Sequence, residues 1–320
     1  MGTPRRTTTI AFAAAATLGS IGSAYIGARN LLVGQADQAR SIIPQSWDIP
    51  PRADGVYAPG GGPVERWSRD VLFDLHLMIF GDSTATGYGA TTAEEVPGAL
   101  LARGLADISG KRIRLSTKAI VGATSKGLSG QIDAMFVAGP PPDAAVIMIG
   151  ANDITRPNGI RPSAQRLGKG VCRLRAAGAV VAVGTCPDFG VITAIPQPLR
   201  AVARSRGLRL ARAQAAAVRS AGGIPVPLAD LLTPHFRSTP EALFSPDMFH
   251  PSGAGYALAA SQLLPALCNA LSDWLGAAAP ELPWRTRSGE GFALLARVGG
   301  LSRLWRRSTG VPAPIVMPAS

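Results

Sequence analysis

The chain holds three cysteines in 320 residues, Cys172, Cys186 and Cys268, and no Cys-x-x-Cys pair. That spacing indicates neither a zinc site nor a disulfide framework, and leaves small buried hydrophobes as the expected role. A single Cys172–Cys186 bridge stays open if the body of the chain is exported. Histidine is as scarce, at three residues, so the search for a general base is short. Aromatic residues make up 6% of the chain and do not interleave with its arginines. With no zinc-finger spacing and no basic region followed by heptads, nucleic-acid binding is not indicated. Acidic residues number 20 against 32 basic ones, a formal net charge of +12. That balance suits an anionic lipid or an anionic wall polymer. No Gly-x-Ser-x-Gly elbow and no internal repeat occur anywhere.

What is present is apolar: 47% of residues, enough for a sizeable core. Arg5 and Arg6 precede an apolar, Ala- and Gly-rich stretch from Ile10 to Ile26 that reaches about bilayer length by Val33. Residues 1–34 are therefore expected to form an uncleaved N-terminal membrane anchor, with the body outside the cytoplasm; a cleaved signal is the alternative. Residues 35–64 are rich in Pro and Gly and read as a linker or a surface strap. The globular domain is expected over 65–278. Residues 279–320 form a tail in which Phe292, Leu295, Leu301 and Trp305 partly segregate from Arg297, Arg303, Arg306 and Arg307. That segregation suits an anionic membrane surface.

Between these ends, apolar runs of strand length alternate with helical periodicity. Strands are expected at Asp74–Phe80, Ile113–Ile120, Ala144–Ile149, Ala179–Val183 and Ile224–Leu228, and a last helix over Ser252–Leu275 with a kink at Pro265. The fold class is α/β: a three-layer α/β/α arrangement on a five-stranded, mostly parallel sheet.

The first of these runs ends abruptly in Gly81-Asp82-Ser83. Ligands in open α/β sheets bind beyond the carboxyl ends of strands, so Ser83 stands where a nucleophile belongs. A serine needs a base, a group that orients the base and donors for an oxyanion. His76 lies inside a strand and reads as core. His235 reads as a loop residue with no carboxylate nearby. His250 lies three residues after Asp247, so one turn can carry base and orienter. Asn152, after the third strand, has an uncharged amide donor, and Gly122, after the second, lets its N–H approach a ligand. The N–H of Ser83 is the third candidate donor. Asp82 and Asp153 read as loop-fixing hydrogen bonders.

Gly81-Asp82-Ser83, Gly122, Gly150-x-Asn152-Asp153 and Asp247-x-x-His250 resemble, in order and spacing, the four blocks of the SGNH (GDSL-type) hydrolases. The residue after Gly-Asp-Ser is Thr84 rather than Leu. The resemblance implies a flavodoxin-like sheet and a serine esterase or lipase-like hydrolase. It also implies Ser83 as nucleophile, Asp247 and His250 completing a triad, and an oxyanion hole of Ser83, Gly122 and Asn152. Within the family the chain looks most like the exported or membrane-anchored actinobacterial branch. The substrate is expected to be a lipid, acylated-sugar or small-molecule ester, with no metal or organic cofactor. Two other readings compete: a flavodoxin-like module binding a flavin or nucleotide phosphate at Ser83–Thr86, and a degenerate hydrolase that only binds wall components.

Overall fold

The computed structural model describes residues 26–39, 49–156 and 158–275. Its centre is strand β2 (Leu75–Gly81), all seven residues of which are buried. A strand covered on both faces favours apolar side chains on both, which is why this run shows no alternation apart from His76. The remaining strands are β1 (Gly55–Tyr57), β3 (Ile113–Thr117), β4 (Ala144–Met148), β5 (Val180–Gly184) and β6 (Ile224–Val226). They form one sheet in the order β1-β3-β2-β4-β5-β6. Neighbours from β3 to β6 are parallel, and β1 alone is antiparallel, pairing Gly55 with Leu115.

Six helices of eleven residues or more pack on this sheet: α1 (Pro97–Ser109), α2 (Leu128–Ala138), α3 (Ile160–Ala176), α4 (Leu199–Ser220), α5 (Leu228–Ser238) and α6 (Gly253–Ala270). Successive residues of β2 feed two cores, as the two-residue period of a strand requires. Leu75, Leu77 and Ile79 join Leu100 and Leu105 of α1 and Leu263 and Leu267 of α6. Met78 and Phe80 join Ile132 of α2, Leu167 and Val171 of α3 and Val218 of α4. α1, α5 and α6 thus pack in the core of one face, and α2, α3 and α4 in that of the other. Gly104 allows α1 to meet α6 closely, since an added Cβ would stand 2.5 Å from Leu264.

The expected α/β class and five parallel strands are present, with a sixth strand at the edge. Residues 55–57, expected within a linker or strap, form that strand. They are held by long-range contacts: Arg103 on α1 donates to the carbonyls of Ala58 and Gly62 and lies over the Tyr57 ring. His235 sits on α5, not in a loop, and Pro234 lies within the same helix. The long last helix stops at Ala270, and a separate turn covers Ser272–Leu275. Cys172 is exposed on α3 while Cys186 is buried after β5, so the bridge left open above is not formed and both thiols are free. His76 is buried, as expected for a core residue, with its Nε2 2.9 Å from Ser116 Oγ.

Residues 26–39 are helical. Gln35 on this helix accepts a hydrogen bond from the Leu199 amide at 3.0 Å, and its own amide donates to the Gln197 carbonyl. Among the described residues no helix is long and apolar enough to cross a membrane. Residues 1–25 of the expected anchor, residues 40–48 of the expected linker and the tail over 279–320 lie outside the described residues.

Candidate active site

The chain passes from β2 to β3 on one side and then crosses to β4 on the other, so the sheet changes winding direction between β2 and β4. That crevice is where open α/β sheets bind ligands. Ser83 follows β2, and Asn152 follows β4. The register pairs Gly81 with Met148, which puts both loops at one height.

Three polar side chains fix the loop ends. Asp82, fully buried, caps the short helix Ser83–Thr86: its Oδ1 accepts from the Thr84 amide at 3.1 Å and from the Thr84 hydroxyl at 2.5 Å. Its Oδ2 accepts from the Gly150 amide at 3.3 Å, tying the two loops together. Burial raises the Asp82 carboxyl above its ordinary value, against the pull of these hydrogen bonds and of His250. Gln131 of α2 brackets Gly81, accepting from its N–H at 2.9 Å and donating to its C=O at 2.8 Å. Gln214 of α4 does the same service for Ile149 and Cys186. Gly81 itself has φ +138°, and a Cβ there would lie 1.8 Å from the Met148 carbonyl oxygen, so only glycine fits.

The sequence-predicted base, orienter and nucleophile meet at this edge. His250 Nε2 lies 3.1 Å from Ser83 Oγ, and His250 Nδ1 lies 2.6 Å from Asp247 Oδ2. The other oxygen of Asp247 accepts from the Ser245 hydroxyl at 2.8 Å and from the amides of Phe249 and His250, each at 2.9 Å. The turn that permits this geometry places Met248 at φ 51°. Burial would raise the Asp247 carboxyl, but the hydrogen bonds from the His250 ring and the two amides prevail and hold it near 2. Asp247 is thus ionised at neutral pH and faces the imidazole that a proton transfer would charge.

Gly122 sits at φ +76° in the turn after β3. Ile120, two residues before it, donates to the Gly81 carbonyl at 3.1 Å, which keeps that turn beside the end of β2. Asn152 lies on the short helix Ala151–Thr155, and its side-chain amide donates to the Ala123 carbonyl at 3.0 Å, leaving a second amide hydrogen. Among the described residues the main-chain N–H groups of Ser83 and Gly122 have no hydrogen-bond acceptor. Asp153 joins the same two loops from below. It accepts from the Ser125 amide and hydroxyl, Asn158 and Ser163, at 2.7 to 3.0 Å. Asp82 and Asp153 therefore hold loops, and neither bonds to Ser83 Oγ or the His250 ring.

Sequence reasoning missed the aromatic surround of His250. The Tyr88 ring lies 4.5 Å from the imidazole, centroid to centroid, and Phe249 meets its edge at 4.9 Å. The Tyr88 carbonyl is fixed by the hydroxyl of Tyr256, 2.6 Å away and buried on α6. Next to it, Gly89 has φ +95°, and a Cβ there would stand 2.7 Å from the Pro251 carbonyl oxygen. The Gly87-Tyr88-Gly89 triplet was the available signal: one aromatic held between two turn glycines beside the nucleophile loop.

A cleft opens from Ser83 and His250 into the α1/α6 side of the core. Its walls are Met148 at the end of β4 and Ile149 after it, Phe189 and Ile192 after β5, Leu228, Leu232 and Phe236 of α5, and Phe244. These side chains are apolar, and polar groups gather at the Ser83 end and around Thr185 and Asp188. Asp188 does not face the cleft freely: it accepts from the Gly190 amide at 2.7 Å and pairs with Arg204 Nε at 3.1 Å. A cleft of this composition suits an apolar chain attached to a polar reacting group.

Residues 79–258 match the GDSL-like Lipase/Acylhydrolase family. A GDSL-like esterase of Mycobacterium tuberculosis is 70% identical over 282 residues, covering 88% of this chain and 90% of that protein. Among solved structures, TesA is 24% identical with a TM-score of 0.48, over 62% of this chain and 98% of that one. A lipase/acylhydrolase from Enterococcus faecalis is 20% identical with a TM-score of 0.48, over 63% of this chain and 97% of that one.

Proposed function

The chain belongs to the GDSL-like lipase/acylhydrolase family, and from that premise we propose that it is a serine esterase working through an acyl-enzyme on Ser83. It hydrolyses ester bonds, as its family does. The reading rests on one observation above the others, the continuous contact from Asp247 through His250 to Ser83.

In this reading Ser83 Oγ attacks the ester carbonyl while His250 Nε2 takes its proton. Asp247 holds the imidazole in the tautomer with the proton on Nδ1 and stabilises the imidazolium. The oxyanion is met by the N–H groups of Ser83 and Gly122 and by the Asn152 amide; the two unpartnered main-chain donors support this assignment. His250 then returns its proton to the departing alcohol, leaving the acyl group on Ser83. A water molecule deprotonated by His250 attacks that ester, His250 returns the proton to Ser83 Oγ as the acyl bond breaks, and the acid leaves. The apolar cleft beside Ser83 takes the acyl chain, which makes an ester with an apolar acid the substrate class.

The anchor at residues 1–34 and the tail at 279–320 belong to the same proposal on sequence pattern alone: an enzyme held at a membrane with its catalytic body outside the cytoplasm. Hydrolysis of p-nitrophenyl esters of graded acyl length tests the substrate reading. Turnover that depends on Ser83 and varies with acyl length is the expected result. Bound flavin absorbance with no hydrolysis of any ester would favour the competing binding-module reading.

A further inference from the structure

The chain's positive charge is not spread evenly. Residues 160–220 carry eleven of its 32 lysines and arginines and only one of its 20 aspartates and glutamates. The remainder of the chain is left at a net charge of +2. All eleven cations lie on α3 and α4, and neither helix contains an acidic residue. The two helices pack side by side, close enough that a Cβ on Gly168 would stand 3.3 Å from Ala217. Three of the eleven meet carboxylates: Arg166 with Asp153, Arg173 with Asp133 and Arg204 with Asp188. Arg161, Lys169, Arg209, Arg212 and Arg219 are exposed and meet no carboxylate among the described residues.

A surface that only needed solubility would intersperse both signs; a single-sign face creates a field that draws a partner of opposite charge. Ten of the eleven cations are arginine, whose planar guanidinium matches phosphate oxygens in pairs. We propose that the outer face of α3 and α4 docks on an anionic phospholipid bilayer. Two observations favour a bilayer over a soluble polyanion. Gln35 fastens the helix at 26–39 to the start of α4, and that helix exposes Ile26, Leu31 and Val33. Val202, among the arginines of α4, is itself 41% exposed. Apolar side chains beside cations suit a lipid interface, where both headgroup and acyl boundary are within reach. None of the five exposed cations lines the catalytic cleft, so docking leaves it open. The proposal is independent of the role given to Ser83.

The test is vesicle flotation of the full chain, diluted from mild detergent onto phosphatidylcholine vesicles with and without phosphatidylglycerol. The apolar N-terminal stretch is common to both conditions, and the basic tail at 279–320 is common to the wild-type chain and the helix variants, so the loss in those variants reports the cationic face. We expect phosphatidylglycerol to raise affinity, and 0.5 M salt to reverse the gain. The triple variant Arg209→Glu, Arg212→Glu, Arg219→Glu should lose the gain by about tenfold or more. Its melting temperature and hydrolysis of a soluble ester should stay unchanged. If the triple variant misfolds, Arg161→Glu with Lys169→Glu on α3 carries the same expectation. Equal binding to both vesicle types overturns the proposal, as does undiminished binding by folded variants. Tighter binding to soluble polyphosphate than to anionic vesicles overturns it too, and makes the partner a polymer.

Discussion

His250 Nε2 lies 3.1 Å from Ser83 Oγ across 167 residues of sequence. The sheet makes this contact possible, because it brings the loop after β2 and the loop before α6 to one edge. Asp247, bonded to the far side of the same ring, is held ionised by its hydrogen bonds. Asp247→Asn keeps the size of the side chain but removes the charge and favours the wrong tautomer. It should lower kcat by roughly 10⁴-fold with little change in KM. Steady-state kinetics on a soluble ester checks this, and a loss under tenfold would remove Asp247 from the mechanism.

The Tyr88 ring lies 4.5 Å from the imidazole at a tilt of 50°, and in the proposed mechanism it positions that ring. Tyr88→Leu should lower kcat by about 3- to 10-fold, the scale of one aromatic contact, and leave KM nearly unchanged. Tyr88→Phe keeps the ring and should restore kcat. Equal losses in both variants would point to the hydroxyl instead of the ring.

Asp153 gathers hydrogen bonds from Ser125, Asn158 and Ser163 in a buried site. Asp153→Ala leaves those groups unsatisfied and should cost about 2–4 kcal/mol in urea unfolding. Catalysis should fall as well, since the loops of Gly122 and Asn152 lose their common tie. A change below about 0.5 kcal/mol, the level of an ordinary surface substitution, would contradict the role.

His76 supplies a pH dependence. Burial, with help from Arg114 and Lys118, lowers its imidazole from 6.5 to about 4. Between those values the unfolded chain holds a proton that the folded chain lacks, so this stabilisation is complete above pH 6.5 and is lost as pH falls to about 4. Thermal melts should therefore show a decline over that window that is smaller in His76→Gln. An unchanged decline in that variant would place its source elsewhere.

The parts legible in the sequence were those whose signal is local. β2 declared itself by a run of apolar residues, broken only by His76, that leads into Gly-Asp-Ser, and the Asp247–His250 pair by a spacing of one turn. β1 did not, because a three-residue strand in a Pro- and Gly-rich stretch has no period of its own. It exists through its pairing with β3 and its contacts to Arg103. Gln131 and Gln214 were hidden for a related reason. Helical spacing says which face of a helix is inward, but not that a buried amide there will bracket a strand end. The contact of Tyr88 with His250 depends on two distant loops meeting, and α5 was obscured by Pro234 within it.

The assignment of Ser83 as nucleophile is tested most directly by a fluorophosphonate probe, followed by mass mapping of the labelled peptide. The account predicts one label per chain, on Ser83. It predicts no label and no turnover in Ser83→Ala, with the fold intact by circular dichroism. A label on another residue, or full esterase activity in Ser83→Ala, would contradict it.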